Sequence, residues 1–191
     1  MYKKSNKGFK YILLFVTAVL VIVVVINGKS QVLKLSYPMK YQELVNKYAA
    51  ENDIDPFLVY AIIKAESGFD SDATSKKEAR GLMQVTDETG QWGAKHLKIK
   101  KFNKKDLYDP DTNIKIGCWY IGWLMKQFDY ELDLVIAAYN SGNGNVSKWL
   151  KNKEYSKSGN SLEKIPFKET DNYLKKVKNY YNVYKKLYEQ A

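Results

Sequence analysis

With 191 residues, the chain has room for one domain of ordinary size, and at 45% hydrophobic it can bury a real core, so disorder is not the default. Its basic residues are lysines apart from Arg80, and the formal net charge of +10 suits an anionic wall, lipid surface or nucleic acid without choosing among them. One cysteine allows no intramolecular disulfide, so the fold holds by packing; with one histidine, it leaves no imidazole- or thiolate-based zinc site and no Ser-His-Asp triad.

Residues 1–10 carry Lys3, Lys4, Lys7 and Lys10 with no acid, and Tyr11 to Ile26 then runs without a charge. A cleaved signal peptide has a similar basic start but a shorter apolar core, and no A-x-A site follows here. The run is slightly short for a hydrocarbon core of ~30 Å, yet flanking lysines can snorkel to the interface. The pattern predicts a basic cytoplasmic tail at 1–10, an uncleaved transmembrane anchor at 11–27, a linker at 28–37 and an exterior domain at 38–191. No cysteine directly follows the run to carry a lipid anchor. Exterior placement, and the lack of a recognised nucleic-acid module, argue against nucleic acid as a partner.

No segment of the exterior part alternates with period two, which predicts an all-α domain. Pro38 opens a helix with Tyr41, Leu44, Val45 and Tyr48 on one face. Asp55 as N-cap and Pro56 at the first helical position open a second, striped by Leu58, Ala61, Ile62 and Ala65. It breaks at Gly68, so Glu66 falls in the last turn, where the macrodipole disfavours a carboxylate and raises its pKa. A partly desolvated glutamate there stays protonated near neutral pH, as a general acid must.

Asp70 to Ala79 reads as a polar loop, Gly81 to Val85 as a short helix, and Gln91 to Lys105 as a lysine-rich excursion without a clear period. Asp109-Pro110-Asp111-Thr112 starts another helix, whose face of Ile114, Cys118, Ile121, Met125 and Phe128 makes Cys118 a core residue. Asp133 to Tyr139 forms a short buried helix. Ser141 to Asn145 is rich in glycine, but neither a preceding strand nor a following Gly-Lys-Ser/Thr makes it a phosphate loop. Lys151 to Lys164 reads as a flexible loop. The final helix carries Tyr173, Val177, Tyr180, Tyr184 and Leu187 on one stripe.

Four blocks stand out in this order: Glu66-Ser67, Gly81-Leu82-Met83-Gln84, Ala138-Tyr139-Asn140-Ser141-Gly142, and Ile165-Pro166-Phe167-Lys168-Glu169-Thr170 through Tyr173. Together with the D-P-x-x-N-I-x-x-G opening at Asp109, they resemble the soluble lytic transglycosylase (SLT) family over about residues 40 to 185. The resemblance implies a goose-lysozyme-like helical domain that cleaves the glycan strands of peptidoglycan without water and without a cofactor. It implies that Glu66 is the acid and then the base. Ser67, Ser75, Gln84, Tyr139, Asn140, Glu163 and Tyr173 are then the substrate-binding candidates, with a Tyr139 hydroxyl holding Glu66 in place. Asp171 stands where the family pattern has arginine, which leaves the role of Glu169 open. Two other readings remain: a muramidase of the same fold, which needs a second carboxylate such as Glu163 or Glu169, and an inactive glycan-binding module of the envelope.

Overall fold

The computed structural model describes residues 11, 12, 14–18, 28 and 31–189. The chain divides into two units, Met1–Pro38 and Met39–Ala191.

In the first unit, residues 11, 12, 14–18 and 31–36 are helical. The rest of the expected anchor, residues 13 and 19–27, and the whole basic tail lie outside the described residues. Among the described residues, no helix is long and apolar enough to cross a membrane. The expected linker is helical at 31–36. Its sequence Gln-Val-Leu-Lys-Leu-Ser has good helix formers and neither glycine nor proline, so it rises ~1.5 Å per residue, less than half of an extended span.

The second unit is built from seven α-helices and one short 3-10 helix among the described residues. Helix α1 is Gln42–Glu51 and α2 is Pro56–Glu66. The first starts four residues later than Pro38 predicts, because Tyr41 sits in the left-handed region at φ 60° and sets the helix entry. Helix α3 is Asp87–His96, followed by the 3-10 turn Lys104–Tyr108 and by α4, Pro110–Gln127. Helices α5, Leu132–Ser141, and α6, Asn143–Lys151, meet at Gly142, and α7, Lys168–Tyr188, closes the domain.

Two expectations change. Gly81 to Val85 is a turn rather than a helix, closed by the Gln84 N–H donating to the Gly81 carbonyl at 3.1 Å. The excursion at 91–105 begins as the second half of α3, whose inward face is Gly90, Gly93 and Ala94. Small residues let α3 lie close on α4, but they write no apolar stripe for sequence reading to find. Likewise α6 hides its only large buried side chains, Val146 and Trp149, among asparagines and lysines.

Helix α4 is the buried core strut, with Ile114, Ile116, Cys118, Ile121 and Leu124 inaccessible to solvent. Cys118 is indeed a core residue, and burial pushes its thiol well above its ordinary range. Helix α2 makes its most extensive packing against α7. The two run antiparallel, since Tyr181 donates to Asp55 at the start of α2 (2.7 Å) while Tyr173 donates to Glu66 at its end (2.6 Å).

Candidate active site

Glu66 is the last residue of α2, and its surroundings follow from how that helix ends. The Ser67 and Gly68 N–H groups both donate back to the Ile63 carbonyl, at 3.0 and 3.2 Å, and the chain turns away. On the facing helix, the Lys176 ammonium donates to the Ala65 carbonyl at 2.9 Å, capping the negative helix end with a cation. The Tyr173 hydroxyl donates to Glu66 Oε1. Burial nonetheless prevails and pushes the Glu66 carboxyl up to about 7; the Tyr173 hydrogen bond and the Lys176 charge hold it down, and Glu169 adds a smaller push upward. Desolvation is thus the main cause of the rise. Tyr173 is itself raised well above its ordinary value by burial and by Glu66, so it stays a hydroxyl donor.

The other wall is the segment 67–86, which has almost no regular structure and is held by polar contacts. Ser67 Oγ donates to the Leu82 carbonyl at 2.8 Å and accepts from the Phe69 N–H at 3.1 Å, tying the end of α2 to the Gly-Leu-Met-Gln turn. Gln84 sits at φ 47°, where a side chain is uncommon, and its amide nitrogen donates to the Ala73 and Gly81 carbonyls (3.1 and 2.9 Å). Below the turn, Asn113 of α4 is wholly buried and uses both ends of its amide. Its nitrogen donates to the Arg80 and Leu107 carbonyls (2.9 and 2.7 Å), and its oxygen accepts from the Met83 N–H at 2.8 Å. Gly81 has φ 73°, and a Cβ there would collide with the Leu107 carbonyl and the Asn113 amide. Gly117, one turn further along α4, leaves room for the Met83 side chain. The D-P-x-x-N-I-x-x-G and G-L-M-Q patterns are two halves of one contact.

Between the walls lies a cleft. A part of about 350 Å³ is lined by Glu66, Ser75, Lys77, Gln84, Tyr139, Asn140 and Glu169, among others. A second part of about 460 Å³ shares Lys77, Gln84, Thr86, Tyr139 and Asn140 with it and continues to Glu88, Trp92 and Tyr120. The structure therefore brings Ser75, Gln84, Tyr139 and Asn140 together with Glu66, and Tyr173 touches Glu66 directly. Ser75 Oγ accepts the Lys77 and Ala79 N–H groups at 3.2 and 3.1 Å, which leaves its own proton to donate. Asn140 Oδ1 accepts from Thr170 at 2.8 Å, leaving its amide nitrogen for other partners.

Three expectations need correction. Tyr139 does not hold Glu66; its hydroxyl donates to the Met83 carbonyl at 2.8 Å, and Tyr173 has the role instead. Ser67 has its hydroxyl proton committed to the Leu82 carbonyl, so it positions the turn rather than a ligand. Glu163 does not line the cleft; its carboxylate accepts the Lys157 N–H at 2.9 Å within an exposed loop. Glu169 does line it, at an exposed rim position 4.0 Å from Lys77. Asp171, one turn before Lys175, pairs with that lysine at 2.7 Å.

Sequence reading gave Asn113, Lys176 and Trp92 no role. A signal existed for Asn113, since an amide on the apolar face of a core helix has to find buried partners. None existed for Lys176, one of many lysines.

Fold and site together define a helical, lysozyme-like domain with a desolvated carboxyl, Glu66, raised to about 7 at the end of one helix. Residues 43–162 match the Transglycosylase SLT domain family, and the chain belongs to it. Over 146 residues it is 34% identical to the soluble lytic murein transglycosylase of Escherichia coli K12, covering 75% of this chain and 23% of that protein. It is 34% identical over 116 residues to the membrane-bound lytic murein transglycosylase C of Yersinia pestis, covering 56% of this chain and 32% of that protein. Among solved structures, the 70-kDa soluble lytic transglycosylase of Escherichia coli superposes with a TM-score of 0.72 at 31% identity, over 81% of this chain and 25% of that one. An inactive glutamate-to-glutamine variant of lytic transglycosylase Slt from Pseudomonas aeruginosa gives 0.71 at 30% identity, with the same coverage. The chain thus spans between 23% and 32% of the length of these relatives.

Proposed function

We propose that the chain is a lytic transglycosylase acting on peptidoglycan, cutting the β-1,4 bond between N-acetylmuramic acid and N-acetylglucosamine. The observation that carries this reading is the Glu66 carboxyl, raised to about 7 in a cleft and held by the Tyr173 hydroxyl. Protonated, Glu66 donates to the leaving glycosidic oxygen as charge builds on the sugar ring. As a carboxylate, it then accepts the proton of the same sugar's C6 hydroxyl while that oxygen attacks C1, closing a 1,6-anhydro ring. The tethered hydroxyl has a large advantage over free water, since effective molarities reach ~10⁵ M or more when orientation is right. Tyr173 fixes the carboxyl for both steps and stabilises its charged form between them. Ser75, Asn140 and the side-chain oxygen of Gln84 hold the acetamide and hydroxyl groups of the rings on either side, with Tyr139 lining the same cleft.

We further propose that residues 11–27 anchor the chain in a membrane with residues 1–10 on the cytoplasmic side, which keeps the domain near the inner face of the wall. Support comes from the charge-free run and its leading lysines. The full-length chain is then expected in the membrane fraction; recovery of a soluble form starting near residues 28 to 36 overturns the anchor.

One observation favours the muramidase reading: Glu169 stands at the rim of the same cleft and is available as a second carboxylate. Digestion of purified peptidoglycan separates the two. Transglycosylation gives fragments one water lighter than hydrolysis does, without reducible muramic ends. Mainly borohydride-reducible ends carrying heavy oxygen from the solvent would establish hydrolysis, with Glu169 as the residue to replace first.

A further inference from the structure

The part of the cleft away from Glu66 ends in an aromatic cluster that the reaction at Glu66 does not require. Trp92 projects from α3 and is 41% exposed, unusual for an indole packed among others. Its ring meets Trp119 edge to face at 4.7 Å and 79°, and Trp123 at 4.9 Å and 81°. Tyr120 stacks on Trp123 at 6.1 Å and 8°, and contacts Tyr139 of the catalytic pocket at 5.7 Å. An aromatic chain thus runs from the Glu66 pocket to Trp92. Isolated exposed apolar side chains need no explanation. Trp92 differs because its ring is fixed by three aromatic neighbours, Trp119, Tyr120 and Trp123, and because it lines the cleft itself.

We propose that Trp92 is a stacking platform for a sugar ring of the glycan strand beyond the rings held at Glu66. This inference rests on the glycan-cleaving function proposed above. A pyranose presents a face of axial C–H groups that packs on an indole, while its hydroxyls point outward to polar partners. The wall at this point offers both kinds of surface. Glu88 and Thr89 lie one turn before Trp92 on the same face of α3 and line the same cleft. Among the described residues Glu88 has no ion pair, so its carboxylate is free to accept sugar hydroxyls. Thr86 lines both parts of the cleft, and six residues of helix carry the wall ~9 Å further to Trp92. The wall therefore continues past the part of the cleft that Glu66 lines, where a further ring of the same strand can meet it. The rigid indole binds at little entropic cost, so the site selects strand length rather than raising the rate of the bond cleavage itself.

The test uses the full-length chain with Glu66→Gln, so that ligands survive, and muropeptide-free glycans of alternating N-acetylglucosamine and N-acetylmuramic acid. Affinity is measured for a disaccharide and a hexasaccharide, with and without Trp92→Ala. The expected result is a loss of about three- to tenfold in hexasaccharide affinity, with a smaller change for the disaccharide, so that the gain with length shrinks. Trp92→Phe, which keeps a flat ring, should recover most of that gain. Equal losses at both lengths would mark a merely structural indole, and no loss at either would leave the platform without a ligand; both overturn the inference. Wild-type cleavage of peptidoglycan is followed alongside. If it occurs while the Trp92 variants keep the length preference, only the platform falls. If the wild type neither binds nor cleaves glycan, the function proposed above falls and takes the platform with it.

Discussion

On one side of the cleft, Glu66 and Tyr173 come from two long helices, α2 and α7, packed antiparallel and separated by more than a hundred residues of chain. On the other, the turn from Gly81 to Gln84 has no regular structure and is held by the buried Asn113 amide, by Ser67 and by its own Gln84. The helical wall sets a proton affinity: apolar burial raises the Glu66 carboxyl, and one hydroxyl and one ammonium limit the rise. The irregular wall sets a shape, because every polar contact in it fixes backbone position. Chemistry and shape therefore sit in different parts of the fold, and substitutions should separate them.

The largest expected effect comes from the helical wall. Glu66→Gln keeps the side-chain volume and an oxygen for the Tyr173 hydroxyl, but it has no proton to give. Loss of general acid catalysis is typically ~10²–10⁴-fold, and more is expected where one group acts in both steps. Cleavage of purified peptidoglycan should fall by at least that much while circular dichroism stays unchanged. Activity near the wild-type level would show that another acid works in the cleft.

The irregular wall should break in the opposite way. Gly81→Ala puts a Cβ against the Leu107 carbonyl and the Asn113 amide at a backbone angle that favours glycine. Asn113→Ala leaves the Met83 N–H and two carbonyls buried without their partner, at about 1–3 kcal/mol for each group that finds no water. Either change should lower the thermal midpoint by several degrees, an expectation resting on about 2–4 °C per kcal/mol in a domain of the size of Met39–Ala191. Activity of the folded fraction should fall through KM as the binding wall shifts. A variant as stable as the parent would mean that the turn tolerates rearrangement.

How much of this was legible in the sequence follows the same division. Helix-borne features write periodic signals: Asp55-Pro56 and the stripe after it located α2, and its break after Glu66 located the acid. The all-α class and the core position of Cys118 were readable for the same reason. The irregular wall had no period, so its residues were found only through the family's blocks, and their roles went astray. Ser67 and Tyr139 look like ligand contacts in a motif, yet their hydroxyls serve the Leu82 and Met83 carbonyls. The partner of Glu66 could not be read at all, because Tyr173 meets it only through the antiparallel packing of α7. Helix α3 was missed altogether because glycines and Ala94, not large side chains, form its inner face.

A finer test of the helical wall is Tyr173→Phe. The hydroxyl donates to the charged form of Glu66, so its loss should raise the carboxyl above about 7. A hydrogen bond to a charged group is worth about 1.5–3 kcal/mol, which corresponds to about one to two pH units. The alkaline limb of kcat/KM should therefore move upward by about that much, even as the maximum rate falls with a less well-placed carboxylate. A limb that stays in place would mean that a water or Lys176 takes over the stabilising contact.

The smallest effect concerns stability, and its sign differs from that of most substitutions. Glu66 has a carboxyl raised from 4.5 to about 7 on folding. Below pH 4.5 it is protonated in both folded and unfolded chains and makes no difference between them. As pH rises from about 4.5 to about 7, the unfolded chain gives up this proton first, so the folded state loses stability; above about 7 the full penalty remains. Discounted for partial solvent access, that penalty amounts to about 1–2 kcal/mol. Glu66→Gln removes the charge and with it the pH dependence. The variant should match the parent in denaturant midpoint near pH 4 and exceed it near pH 8, so the change that abolishes catalysis stabilises the fold. Equal midpoints at both pH values would show that the acid's high proton affinity depends on bound substrate, and that the empty helical wall does not impose it.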